Sequence, residues 1–106
     1  MGNLSEPAWV KDASHRYVAV NPAFRALCAF LAGGEEVDAV DLTDISLFPL
    51  DVAEAAHQDE REIMNSHGFK RGELVLFNLS GDARRFQVLR IALLDGAGGE
   101  IGRAHV

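Results

Sequence analysis

The chain has 106 residues, 48% of them apolar and 25% charged, with a formal net charge of −6. That length suits one small domain with a single core. Basic residues never cluster beyond Arg84-Arg85 and the nearby Lys70-Arg71, so direct nucleic-acid binding is not expected, since phosphate rewards clustered Lys and Arg. A single cysteine, Cys28, excludes an intrachain disulfide and offers no cysteine metal cluster. No apolar stretch approaches the thickness of a bilayer, and residues 1–11 lack the basic start and apolar run of a secretion signal. A cytoplasmic protein without membrane contact is expected, in which Asn78-Leu79-Ser80 is ordinary strand sequence and not a glycosylation site.

Ala8 to Lys11 reads as a short strand, Asp12 to His15 as a turn, and Tyr17 to Val20 as the second strand of a hairpin. Asn21-Pro22 opens a helix. Asparagine caps free N–H groups, and proline at the first helical position gives up an N–H that has no partner there. Phe24, Leu27, Cys28 and Leu31 follow at helical spacing, and Gly33-Gly34 ends the helix. Glu35 to Leu47 mixes acids with Val37, Val40, Leu42, Ile45 and Leu47, which predicts short helical turns and loop. After Phe48-Pro49, Asp51 is the expected cap of a longer helix, and Glu54 completes a capping-box-like pair. The apolar stripe of that helix is Val52, Ala53, Ala56, Ile63 and Met64, and Gly68 is its expected stop.

From Gly72 onward the pattern turns to strands. Glu73 to Leu79 is the first, and Ser80-Gly81-Asp82 is a turn. In Arg85 to Leu94, Phe86, Val88 and Arg90 alternate with Gln87, Leu89 and Ile91. A glycine-rich turn at 95–99 leads to a last strand from Ile101. Two strands, then helices, then three strands predict an α+β domain: one antiparallel sheet with helices on one face.

This order, with particular residues, resembles a PAS domain over nearly the whole chain, Pro7 to Val106. Pro7-Ala8-Trp9-Val10-Lys11-Asp12 is similar to the family's first strand and its closing Asp. Arg16 to Phe24 resembles the second strand running into the first helix at Asn-Pro-Ala-Phe. Asp41 to Pro49 resembles the short central helices and the Leu-Phe-Pro before the long helix. Gly81 to Leu94, with Asp95 and Gly99, resembles the last hairpin, although Ala92 stands where the family often has Pro.

The resemblance implies a five-stranded antiparallel sheet in the order 2-1-5-4-3, with short helices packed on one face. It implies one domain over 1–106, with 1–7 as an N-terminal extension. It also implies a sensory or regulatory input domain of a signal-transduction or transcription-regulating protein. Such a domain binds a small ligand between sheet and helices, or forms a homodimer, or both; a purely structural dimerisation or interaction module is the alternative. The sequence stops inside the last strand, before the family's signalling helix, so an effector domain is expected C-terminal to it in a larger protein.

No nucleophile elbow, phosphate loop, dinucleotide fingerprint or His-Glu-x-x-His is present, so no catalytic residue is assigned and the domain itself is not expected to be an enzyme. The resemblance implies a pocket for which Phe48, Met64, Phe77, Phe86 and Val88 are the candidate walls. Arg90 is its candidate anchor for an anionic ligand. Most of the aromatic residues, Trp9, Phe24 and Phe30 among them, also read as plain core. By resemblance to heme-binding PAS sensors, His57 on the long helix is a minor candidate for an axial heme ligand. The polar Gln58-Asp59-Glu60 that follow speak against heme, and no cofactor is the leading expectation. Flavin adduct chemistry is disfavoured, because Cys28 falls on a core position of the first helix and not in the central helices. His15, His67 and His105 are expected to face solvent, and no metal site is expected.

Overall fold

The computed structural model describes residues 6–34, 37–93 and 98–105. Its elements are β1 (Ala8–Lys11), β2 (Tyr17–Val20), α1 (Pro22–Leu31), α2 (Asp44–Leu47), α3 (Leu50–Ser66), β3 (Phe69–Phe77), β4 (Ala83–Ala92) and β5 (Glu100–His105). The strands form one five-stranded sheet in the order β2-β1-β5-β4-β3, every pairing antiparallel. This is the expected α+β architecture.

Asn21 ties the first hairpin to α1. Its Oδ1 accepts from Phe24 N–H at 2.9 Å, capping the helix, and from Ala8 N–H at 3.0 Å, holding β1. Its Nδ2 donates to the Glu6 carbonyl at 2.7 Å. α1 then lays Phe24, Leu27 and Cys28 into the core. Phe24 is a hub, with ring centroids 5.6 Å from Trp9, 5.0 Å from Tyr17 and 6.4 Å from Phe48. Tilted and edge contacts of this kind suit aromatic quadrupoles.

Register decides which side chains meet. Trp9 pairs with Gly102, and Gly102 with Arg90, so these three share the inner face. Lys11 pairs with Glu100 on the same face. The Trp9 ring lies directly against Gly102: a Cβ there would sit 2.0 Å from the indole. Only glycine lets β5 pass beneath that ring.

Several boundaries differ from those read in the sequence. α3 starts at Leu50 behind Pro49, with no side-chain cap, so Asp51 lies in the first turn and the capping box with Glu54 does not form. Pro49, which cannot continue a helix backwards, sets the start instead. The helix ends at Ser66, two residues before the expected glycine, with His67 as its cap in the left-handed conformation at φ 54°. β3 begins at Phe69, before Gly72, because pairing with Ile91 extends the ladder through the basic residues Lys70 and Arg71. Residues 95–97 of the expected glycine-rich turn, and residue 94 before it, lie outside the described residues. No helix among the described residues is long and apolar enough to cross a membrane.

Candidate functional site

Four of the five buried polar residues among the described residues form one connected cluster between the sheet and the central helices. Lys11, Asp44, Glu60 and Glu100 are each 1–2% exposed. Charged groups are almost never this buried unless paired. β1 supplies Lys11, α2 supplies Asp44, α3 supplies Glu60 and β5 supplies Glu100. Arg90 of β4 joins them, its side chain 11% exposed.

Lys11 is the centre. Its Nζ donates to Asp44 Oδ2 and, at 2.6 Å, to Glu60 Oε2. It stands 3.9 Å from Glu100 Oε1 and 4.7 Å from the centre of the Tyr17 ring. The Tyr17 hydroxyl donates to Asp44 Oδ1. One nitrogen of Arg90 donates to both Glu60 Oε2 at 3.0 Å and Glu100 Oε1 at 3.1 Å. Trp9 Nε1 completes the set by donating to Glu100 Oε1 at 3.0 Å.

Two cations, Lys11 and Arg90, therefore face three carboxylates, Asp44, Glu60 and Glu100. One negative charge is left over. Burial, with a hydrogen bond shared with Glu60, pushes the Glu100 carboxyl up to about 7. A proton held there removes the excess charge. Burial, then the charge of Asp44, also raises Tyr17, keeping its hydroxyl a donor. Burial works against the charge of Arg90, but Glu100 and Glu60 outweigh it and raise its pKa.

Two histidines sit at the rim of this cluster. His15 Nδ1 is 2.7 Å from Glu60 Oε1. The His15 and His57 rings stack with centroids 4.5 Å apart. His57 Nε2 lies 3.5 Å from Asp44 Oδ2, is buried and has no hydrogen-bond partner. Burial lowers the pKa of both rings; the charge of Lys11 adds to this at His15, while Asp44 opposes it at His57. His15 is thus not the solvent-facing turn residue expected: its side chain is 20% exposed and packs onto α3. His67 and His105 are exposed, as expected.

Beside the charged cluster lies an interior cavity of about 30 Å³. Its apolar walls include Phe24, Phe48, Leu74 and Phe86, and its polar end is Tyr17, Asp44 and Arg90. Phe48, Phe86 and Arg90 of the expected pocket set thus come together here. Val88 is buried on the same face and lines, with Arg90, a groove between α3 and β3 of about 240 Å³. Met64 lies outside both linings. Phe77 is 62% exposed and belongs to the outer face, because Leu76, its neighbour, takes the buried position. Strand alternation sends adjacent side chains to opposite faces, so only one of the two can point inward.

Heme does not fit at His57. Its free nitrogen is turned toward Asp44, its ring face is covered by His15, and the adjoining cavity of about 30 Å³ is far smaller than a porphyrin. Cys28, on the core side of α1, is buried, and burial followed by the charge of Asp44 pushes its thiol up to about 11.

The sequence signalled part of this cluster. Glu60 falls on the same helical stripe as Ala53, Ala56 and Ile63, all buried. Lys11 alternates with Trp9, and Glu100 with Gly102 and Ala104.

No protein-family model matches the chain, and no curated protein matches it. Solved structures do match it over almost its full length. A PAS domain from Colwellia psychrerythraea has 13% identity and a TM-score of 0.71, covering 96% of this chain and 86% of that one. A PAS domain of a LuxR-family transcriptional regulator from Burkholderia thailandensis, solved in complex with ethanol, has 14% identity and a TM-score of 0.70, covering 97% and 89%. The VqmA dimer of Vibrio cholerae, solved without its target DNA, has 17% identity and a TM-score of 0.80. That match covers 97% of this chain but 46% of VqmA. At these identities the likeness is one of fold, and the fold is that of a PAS domain.

Proposed function

We propose that this PAS-fold chain is a sensory input domain that reads a very small ligand in its interior cavity. The observation that carries this is the cavity's make-up: aromatic and aliphatic walls closing on a polar end of Tyr17, Asp44 and Arg90. Binding pockets combine an apolar lining with a few converging polar groups in this way. A cavity of about 30 Å³ holds roughly two or three water-sized groups, which points to a ligand of a few heavy atoms with one hydrogen-bonding end. The Burkholderia neighbour, solved in complex with ethanol, supports a ligand of that size.

The test is a thermal-shift and NMR screen with short alcohols, ketones and carboxylic acids. A saturable rise in melting temperature is expected for at least one class, and Leu74→Phe, which fills the cavity, abolishes it. No response from any class, with the filled variant behaving as wild type, overturns the reading.

A second reading, homodimerisation, has its own observation. One row of apolar residues crosses the outer sheet face: Ala19, Val10, Ile101, Ile91 and Phe69 are paired strand to strand. Ile101, Ile91 and Phe69 are 40%, 44% and 66% exposed. Contiguous exposed apolar surface of this kind marks interaction sites. Sedimentation is expected to show a dimer that Ile101→Lys dissociates; a monomer at all concentrations counts against it.

A further inference from the structure

The histidine pair at the rim carries chemistry that neither the ligand reading nor the dimer reading uses. His15, His57 and Glu60 each present one donor atom, and the three atoms lie within 4.8 Å of one another. Two imidazoles and a carboxylate are a common donor set for zinc and its neighbours in the first transition row. We propose that His15, His57 and Glu60 form a binding site for a divalent transition cation of the zinc class, open to solvent at one coordination position.

Three further features favour that assignment. First, His57 Nε2 is buried without a hydrogen-bond partner. A buried polar atom without a partner costs stability, and coordination supplies the missing contact. Second, the carboxylates of Glu60 and Asp44, next to the two rings, supply a local negative field for a cation. Asp44 Oδ2, 3.5 Å from His57 Nε2, stands close enough to contribute to it. Third, the donors are held in place. Glu60 offers Oε1 to the rim because Lys11 and Arg90 occupy Oε2.

His15 is positioned by a rigid turn. Asp12 Oδ1 accepts from the N–H groups of Ser14 at 2.9 Å and Arg16 at 3.1 Å, and His15 adopts φ 65°. A left-handed conformation is costly for a residue with a Cβ and clusters where structure over-determines it. Here it swings the imidazole onto His57.

Donors of a tetrahedral site with bonds of about 2.0 Å lie roughly 3.3 Å apart. Rotation of the two rings, whose side chains are 20% and 17% exposed, covers the remaining distance. That exposure also gives the cation its entry path and leaves room for a water ligand.

The probe is zinc chloride added to untagged, chelator-treated protein, followed by calorimetry; cobalt chloride reports geometry by its visible absorption. One equivalent is expected to bind with micromolar affinity or tighter. His57→Ala and His15→Asn are each expected to weaken binding by at least about tenfold. Asparagine is chosen at position 15 because it tolerates the left-handed backbone. His67→Ala and His105→Ala, at exposed positions, leave the affinity unchanged. Far-UV circular dichroism checks that each variant is folded. Glu60→Gln disturbs the buried ion pairs, so the test rests on the two rim histidines. Absence of zinc binding by the wild type up to millimolar concentration overturns the proposal, as does unchanged affinity in folded His15→Asn and His57→Ala.

Discussion

Lys11 Nζ and Glu60 Oε2 meet at 2.6 Å across 49 residues of sequence, each side chain 1% exposed. A strand and a helix are thereby joined through a buried charge pair. Removing one partner leaves the other charge uncompensated, which typically costs about 3–5 kcal/mol. Lys11→Met is therefore expected to destabilise the domain by that amount in urea denaturation, a large part of the total stability of a small domain. The control is Arg85→Ala. Its pair with Glu73 at 3.1 Å is exposed, 71% and 48%, and its loss is expected to cost less than about 1 kcal/mol. Equal losses from the two variants would refute the buried network as a source of stability.

Glu100 gives a pH signature. Trp9 and Lys11 face it from β1, Arg90 from β4 and Glu60 from α3. Its carboxyl is raised from the ordinary 4.5 to about 7, so the folded state binds more protons than the unfolded state between those values. Its contribution is fully present below about pH 4.5 and is lost as pH rises to about 7. His15 and His57, lowered by burial, act in the opposite direction. The measurable quantity is the difference between wild type and Glu100→Gln in chelator-treated protein. The variant is expected to gain stability relative to wild type as pH rises from about 4.5 to about 7. A difference independent of pH would show that Glu100 does not hold the proton.

Gly102→Ala tests the contact between β5 and the indole. An added Cβ would sit 2.0 Å from Trp9 Cε2, so the ring or the strand must move. Overpacking of this severity costs about 3 kcal/mol. A lower melting temperature and a shift in the emission of Trp9, the single tryptophan, are expected together. A melting temperature unchanged from wild type would mean that the ring has space the structure does not show.

Asn21→Ala removes a helix cap and a strand tie at once. Phe24 N–H and Ala8 N–H both lose the Oδ1 acceptor, at 2.9 and 3.0 Å. Loss of a cap alone costs about 1 kcal/mol, and the freed, buried Ala8 N–H adds to it. A total of about 2 kcal/mol is expected by chemical denaturation. Amide exchange should quicken at Ala8 as well as at Phe24; protection retained at Ala8 would argue against the tie.

The strands and α1 were legible because their signals are local. Alternation, the Asn21-Pro22 start and the glycine turns all act within a few residues. The buried ion cluster is legible only in part: Glu60 shares the buried stripe of α3, and Lys11 and Glu100 alternate with buried strand residues, but nothing local says that these charges pair. Lys11 finds Asp44 across 33 residues and Glu60 across 49, partners that no local pattern names. Arg90 is legible as a polar group that reaches the interior, because it alternates with Phe86 and Val88. Phe77 shows the complementary limit: in a strand rich in apolar residues, pattern alone does not say which of two neighbours faces in. His15 was read as a turn residue, and only the αL turn geometry brings it against α3.

Glu60 has one further consequence. One of its oxygens serves the histidine rim and the other serves Lys11 and Arg90, and Arg90 closes the polar end of the cavity. A single carboxylate is thus common to an outer and an inner site. If an occupant of one site changes the affinity of the other through this group, the second occupant changes the affinity of the first by the same factor, because linkage is reciprocal. An occupant of the cavity and an occupant of the rim would, on this arrangement, be each other's effectors.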